Sequence, residues 1–177
     1  PTDQPQGCTL PQGCTWGEIL DCVGDIPDTC TEPRATSFQN GSLRRVSAVG
    51  VFFQGVDLRG AQCDDAVFRS SVFANGQYAA ASFLRADLTQ AGFVDEDLRG
   101  AGFEEAVIAH ASFAGANLEA VSMVGAAGTN VSFLAANLTG ADLTGVASPS
   151  ARFDRAVLTG ADLQDATMAL GSFLSVT

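Results

Sequence analysis

Phenylalanine recurs in this chain at a fixed spacing of 20 residues. The seven positions, without a gap, are Phe53, Phe73, Phe93, Phe113, Phe133, Phe153 and Phe173. Neither a helix nor an ordinary strand has a 20-residue period, so the chain must return to the same point in space every 20 residues. The spacing therefore predicts a solenoid in which each Phe stacks on the next to form a core ladder along one wall.

A second, five-residue period runs inside each 20-residue unit. Counted in steps of five from Phe38 to Phe173, there are 28 central positions, and 25 of them hold a large apolar residue or Cys. The residue two places before each centre is small, namely 16 Ala, six Val and three Gly. The exceptions are Thr36, Ser71 and Glu96. Large and small residues that both point inward would fill a narrow core at the density of a protein interior.

This pattern resembles the pentapeptide-repeat family, whose consensus is Ala-(Asp/Asn)-Leu followed by two variable residues. Residues 136–145 show it plainly as Ala-Asn-Leu-Thr-Gly-Ala-Asp-Leu-Thr-Gly, and the resemblance covers residues 36–175. It implies an all-β fold, a right-handed quadrilateral parallel β-helix with four pentapeptides per coil. We expect about seven coils over residues 36–177, preceded by a separate N-terminal cap over residues 1–35. Seven coils at the spacing of β-strands give a rod about 34 Å long.

Two places in the repeat depart from the pattern. One of the four walls holds three small central residues, Ala48, Gly128 and Ser148, which predict local bulging there. Glu96 stands at an inward-facing small position, where an unpaired carboxylate would be costly to bury. The favoured interpretation is a bulge that turns Glu96 outward, and the alternative is a partly buried acid with a raised pKa.

The cysteines indicate an oxidising compartment. Four of the five lie in the first 30 residues and are the disulfide candidates: Cys8, Cys14, Cys22 and Cys30. They read as two disulfides with three possible connectivities. A metal site is less favoured, because the chain has no C-x-x-C motif and its single His is far away in the repeats. Disulfides would make the protein extracytoplasmic: secreted, at the cell surface, periplasmic or in the thylakoid lumen.

The N-terminal segment has the features of a cap. Thr15 and Glu18 have the spacing of a capping box, which predicts a short helix over residues 16–23. One side of that helix would present Trp16, Ile19, Leu20 and Val23. That side could cover the first coil, since solenoids need caps over their apolar end coils. The alternative is a loosely ordered leader.

The other end lacks such a segment. Phe173 is the last centre, and the sequence stops four residues later at Thr177. An end coil with open strand edges is a template for pairing with another chain. We expect a tail-to-tail dimer, a head-to-tail polymer that could grow into a filament, or a piece cut from a longer protein.

Residues 20 apart lie above one another and form surface columns. The column Arg45, Asp65, Arg85 and Glu105 alternates in charge and predicts a salt-bridge ladder between coils. Another surface is unusually apolar, and its contiguity would favour contact with another protein. The candidate interface residues are Phe52, Val72, Val94, Leu134, Met168, Phe173 and Leu174.

No catalytic, phosphate-binding or metal-binding motif was found, and no cofactor is expected. Nine Arg and 20 acidic residues give a formal net charge of −11. The leading hypothesis is a non-enzymatic structural rod that assembles with itself end to end. The first alternative is a DNA mimic, since some members of the family bind DNA gyrase. However, the repeats carry a net charge of −6, against about 20 charges on B-DNA of the same length. The second alternative is a monomeric periplasmic or lumenal protein-binding module.

Overall fold

The structure, a computed structural model, describes residues 37–177. The chain winds through seven stacked coils of four sides each, a right-handed quadrilateral β-helix. Two sides are regular strands, β1 at Phe52–Gln54 and β2 at Val72–Ala74, which pair in parallel with Phe53 opposite Phe73. Most other sides are held by single parallel bridges between residues 20 apart, such as Ser112 and Ser132. The described residues contain no helix.

The core holds the side chains that the five-residue period selects. The central residue of each side and the small residue two places before it are both buried through the middle of the rod. Phe113, Leu118 and Ala116, for example, each have 0% exposure. The alternation follows from strand geometry, in which residues two apart point to the same face.

Every corner of the rod is a residue in the left-handed backbone region. These corners fall at every fifth residue from Asn40 to Ser175, and nine of them are Gly, such as Gly100 at φ +64°. The others carry side chains, such as Ala120 at φ +55°. A positive φ at the third residue is typical of type II turns, which favour Gly or Asn there. The five-residue unit is thus a short strand and a tight turn.

The phenylalanine ladder is a continuous stack of rings. Ring centroids of successive members lie 4.4 to 5.5 Å apart, and their planes are within 16° of parallel. Neighbouring walls meet this stack edge to face, as Phe83 meets Phe93 at 73°. Both geometries are favoured by the ring quadrupole. The ladder therefore both aligns the coils and fills part of the core.

The wall with small central residues is held together by serine side chains. At Gly128 the turn closes as a bend rather than a hydrogen-bonded turn, and the Ser148 hydroxyl donates to the Gly128 carbonyl at 2.8 Å. At Ala48 the Ser71 hydroxyl donates to the Ala48 carbonyl at 2.5 Å and accepts from the Val51 amide at 3.1 Å. This wall is irregular as predicted, and at these places hydrogen bonds from serine side chains replace the usual backbone hydrogen bonds.

Candidate functional site

The last coil exposes the kind of side chain that the other coils bury. Phe173 and Leu163, two of its central residues, are 42% and 36% exposed, whereas Phe153 in the coil before is fully buried. Two outward residues of the same coil, Leu170 and Leu174, are 91% and 70% exposed. An apolar surface of this kind on a folded protein favours contact with another polypeptide.

Within residues 37–177 the backbone of this coil lies at the edge of the hydrogen-bonded stack. In the inner coils a central residue typically donates its amide hydrogen to the carbonyl 19 residues ahead, as Phe133 does to Arg152 at 2.8 Å. Within residues 37–177 the amides of Leu163, Met168 and Phe173 have no such carbonyl to meet. Unpaired strand edges are templates for further pairing.

Asp154 ties the last coil to the one before it. Its carboxylate accepts a hydrogen bond from the Ser172 hydroxyl and another from the Leu174 amide at 3.0 Å. The hydrogen bond from Ser172 holds the pKa of Asp154 below its ordinary value, and the Leu174 amide adds to the effect. The exposed apolar coil is thus fixed in place by an ionised side chain.

The charged column forms a single direct pair rather than a ladder. Arg85 contacts Asp65 through two hydrogen bonds of 2.7 and 3.0 Å. Among the described residues, Arg45 and Glu105 lie beyond 4 Å of these partners and act on them only through longer-range attraction. The predicted ladder of contacts is wrong for these two rungs. In the neighbouring column Arg44 pairs with Asp64 at 3.4 Å.

The candidate interface residues fall into two separate patches. Phe52, Val72 and Val94 are 37%, 42% and 49% exposed and form a lateral patch on the first three coils. Phe173 and Leu174 belong to the last coil, as does the half-buried Met168. Leu134 is half-buried between the two patches, and Asp154 interrupts the column beyond it.

Glu96 is buried, so the favoured expectation of an outward bulge is wrong. The residue is 8% exposed, and its carboxylate accepts the amide hydrogens of Asn75 at 2.7 Å and Gly76 at 3.1 Å. Burial raises the pKa of Glu96 above its ordinary value, although the two amides lower it. The sequence argument assumed an unpaired carboxylate, but the coil before supplies two donors.

No group of side chains in residues 37–177 is arranged to hold a metal ion. Cys63 is a free, fully buried thiol, and burial raises its pKa far above the ordinary value, so it is an apolar core residue here. No helix in the same range is long and apolar enough to cross a membrane. The disulfide candidates and the cap residues Trp16, Ile19, Leu20 and Val23 lie outside the described residues.

These stacked coils, with their chemistry confined to the outer faces and ends, define a solenoid repeat protein. The model of the family described as pentapeptide repeats matches the chain with eight copies, over residues 81–123 and 111–146. The chain belongs to the pentapeptide-repeat family. Comparison with curated protein sequences finds no significant match.

Solved structures share the fold. A trypsin-treated variant of QnrB1, a plasmid-mediated fluoroquinolone resistance protein, aligns with a TM-score of 0.56 and 17% identity over 82% of this chain and 69% of its own. HetL, involved in heterocyst differentiation regulation in the cyanobacterium Nostoc sp. strain PCC 7120, aligns at 0.44 and 20% identity over 86% and 77%. A protein from the thylakoid lumen of Arabidopsis thaliana aligns at 0.30 and 34% identity over 52% and 67%. Of these, only the alignment with QnrB1 has a TM-score above 0.5, and at 17% identity it shows a shared fold alone.

Proposed function

We propose that this protein is a non-enzymatic β-helical rod that associates end to end with a second copy of itself through residues 158–177, the end coil. The observation that carries the proposal is the exposure of the end coil. Its central residues Leu163 and Phe173 are 36% and 42% exposed, whereas the central side chains of the middle coils are buried. A matching coil would cover these side chains and supply partners for the open backbone edge.

The other end of the rod favours a closed pair over a filament. Phe38, Leu43 and Phe53 of the first coil are each only 2% exposed. Head-to-tail growth would need this coil to be open, whereas a two-fold contact uses the same end coil of both copies. We therefore expect association to stop at two copies and to give a particle about twice as long as one rod.

Sedimentation velocity on the full chain tests this proposal. Leu170→Ser combined with Leu174→Ser should weaken association at least tenfold, because burying one leucine is worth about 1.5–3 kcal/mol. The matched control is Val49→Ser with Val94→Ser, which changes two residues that are 54% and 49% exposed outside the end coil. A wild-type chain that stays monomeric at high concentration would contradict the proposal. So would a control variant as impaired as the end-coil variant.

A DNA-mimic function receives less support from the charges. Residues 86–151 hold eight carboxylates and one arginine, over about 16 Å of rod in which B-DNA would carry about nine charges. Three of the eight are not available as free surface charges: Glu96 is buried, Asp97 pairs with Arg99, and Asp87 pairs with Arg69. A supercoiling assay in which the chain alters DNA gyrase activity would favour this alternative instead.

The extracytoplasmic location rests on the N-terminal cysteines and is also a proposal. Four cysteines in two disulfides would leave Cys63 as the single free thiol. Mass spectrometry after thiol labelling of the protein purified from its native source should find one labelled cysteine, and only after denaturation. Four additional labelled cysteines without reductant would contradict both the disulfides and the location inferred from them.

A further inference from the structure

The ladder of backbone hydrogen bonds between coils is interrupted at one place. The Leu58 amide donates to the Gln77 carbonyl at 2.7 Å. Two coils further along, the Leu98 amide donates to the Asn117 carbonyl at 2.9 Å. The equivalent bond from Tyr78 to Asp97 is absent from the described residues. The return bond from Asp97 to Gly76 is absent as well, although Asn117 makes it to Glu96 at 2.9 Å.

The side chain of Glu96 takes the place of the missing backbone acceptors. Asn75 would follow its neighbours in the column by donating to the carbonyl of Val94, as Gly55 donates to Ala74 at 2.8 Å. Instead its amide donates to the Glu96 carboxylate at 2.7 Å. A charged acceptor strengthens the bond itself. However, a buried carboxylate is costly in its charged form, and unlike a backbone carbonyl it can titrate.

The cause is an excess of side-chain volume at this level of the rod. Tyr78 stands in a wall that is otherwise Phe and Leu, and it is completely buried. Its hydroxyl occupies the place that a Cβ on Gly76 would fill, and this hydroxyl has no hydrogen-bond partner in residues 37–177. Glu96 adds a long side chain at a position that holds Ala in the next coil. Overfilled cores respond by shifting the backbone.

We propose that the rod has a seam between the coils of Tyr78 and Leu98, closed by the Glu96 carboxylate in place of the backbone, and that the native rod opens first at this seam. In a solenoid, stability is close to a sum of contacts between neighbouring coils, so the weakest contact sets where the structure comes apart. Opening here separates a short N-terminal block from a longer C-terminal block. This inference does not depend on the association proposed above.

Acidity should tighten the seam. The groups that face Glu96 are the Asn75 and Gly76 amides, the phenol of Tyr78 and the carboxylate of Asp95. Burial and Asp95 raise the pKa of Glu96 in the closed seam above its ordinary value of 4.5. A raised folded-state pKa gives stability that is complete below the ordinary value and is lost as the pH rises through the folded value. The seam should therefore be weaker at neutral pH than near pH 4.5.

Native-state hydrogen exchange on the full chain tests the seam. The amides of Tyr78 and Asp97 should exchange at least tenfold faster than those of Leu98 and Asn117, their counterparts one coil further. Equal protection of the two sets would overturn the proposal. This measurement needs no variant and is therefore independent of whether a mutant folds.

Two variants sharpen the result. Tyr78→Leu combined with Glu96→Ala restores the regular residue types, and it should slow exchange at residues 78 and 97 to the level of the next coil. Glu96→Gln should abolish the change in seam protection between pH 7 and pH 4.5 after correction for intrinsic exchange. A pH response that persists in Glu96→Gln would contradict the role given to this carboxylate.

Discussion

The two ends of the rod are built from the same residue types but differ in exposure. Phe53 near the start is 2% exposed and Phe173 at the finish is 42% exposed, although both belong to the same stacked wall. Leu43 and Leu163 differ in the same way, at 2% and 36%. Side chains of one type in one column therefore differ in exposure between the first and the last coil, and the end coils of a solenoid are where such differences matter.

The predicted cap over residues 1–35 lies outside the described residues and stays a prediction. The charges agree with this prediction, because residues 1–35 hold six acids and one Arg, whereas residues 37–85 hold five Arg and three Asp.

The largest expected effect comes from removing one phenylalanine at each end. Phe53→Ala should lower the free energy of unfolding by about 3–5 kcal/mol, the usual cost of a cavity in a packed core. Phe173→Ala should cost about 1–2 kcal/mol, because more than a third of its surface is already in water. Urea unfolding followed by circular dichroism measures both, and Phe113→Ala in the middle is the control. An equal loss in the free energy of unfolding for Phe53→Ala and Phe173→Ala would contradict the difference between the two ends.

A smaller effect separates two corners of the same column. Gly50 and Leu170 both have positive φ, +69° and +62°. Gly50→Ala should cost about 1 kcal/mol from backbone strain alone, since a Cβ there would meet no atom within 4 Å. Leu170→Gly should stabilise the end coil by up to about 1 kcal/mol for the same reason. Thermal unfolding of the monomeric chains at low concentration should show a lower melting temperature for Gly50→Ala and a higher one for Leu170→Gly. A lower melting temperature for both variants would contradict the prediction.

The smallest effect is local and depends on pH. Because the folded-state pKa of Asp154 lies below its ordinary value of 3.8, its contribution to stability is present above 3.8 and is lost as the pH falls through the folded value. Exchange of the Leu174 amide should therefore accelerate on acidification, after intrinsic correction, before that of Phe93 in the middle. In Asp154→Asn this acceleration should vanish, and its persistence would exclude the Asp154 carboxylate as the clamp.

The sequence predicted the architecture well because the fold is periodic in two ways. The 20-residue return and the five-residue alternation together determine which residues share a wall. The left-handed corners were missed, although Gly, Asn or Asp at 15 of the 28 corner positions was a readable signal. Glu96 was misjudged because its donors come from the coil before, where Gly76 has no side chain. The charge column was overestimated, since a shared column does not ensure that two flexible side chains meet.

A backbone that completes one coil every 20 residues also constrains how its gene can change length. Gain or loss of one whole coil leaves every later side chain on its own wall. An insertion or deletion of five residues would move every later side chain to the neighbouring wall, so the phenylalanines would no longer stack in one column. The unbroken run from Phe53 to Phe173 is the outcome expected if this gene has grown and shrunk only by complete coils.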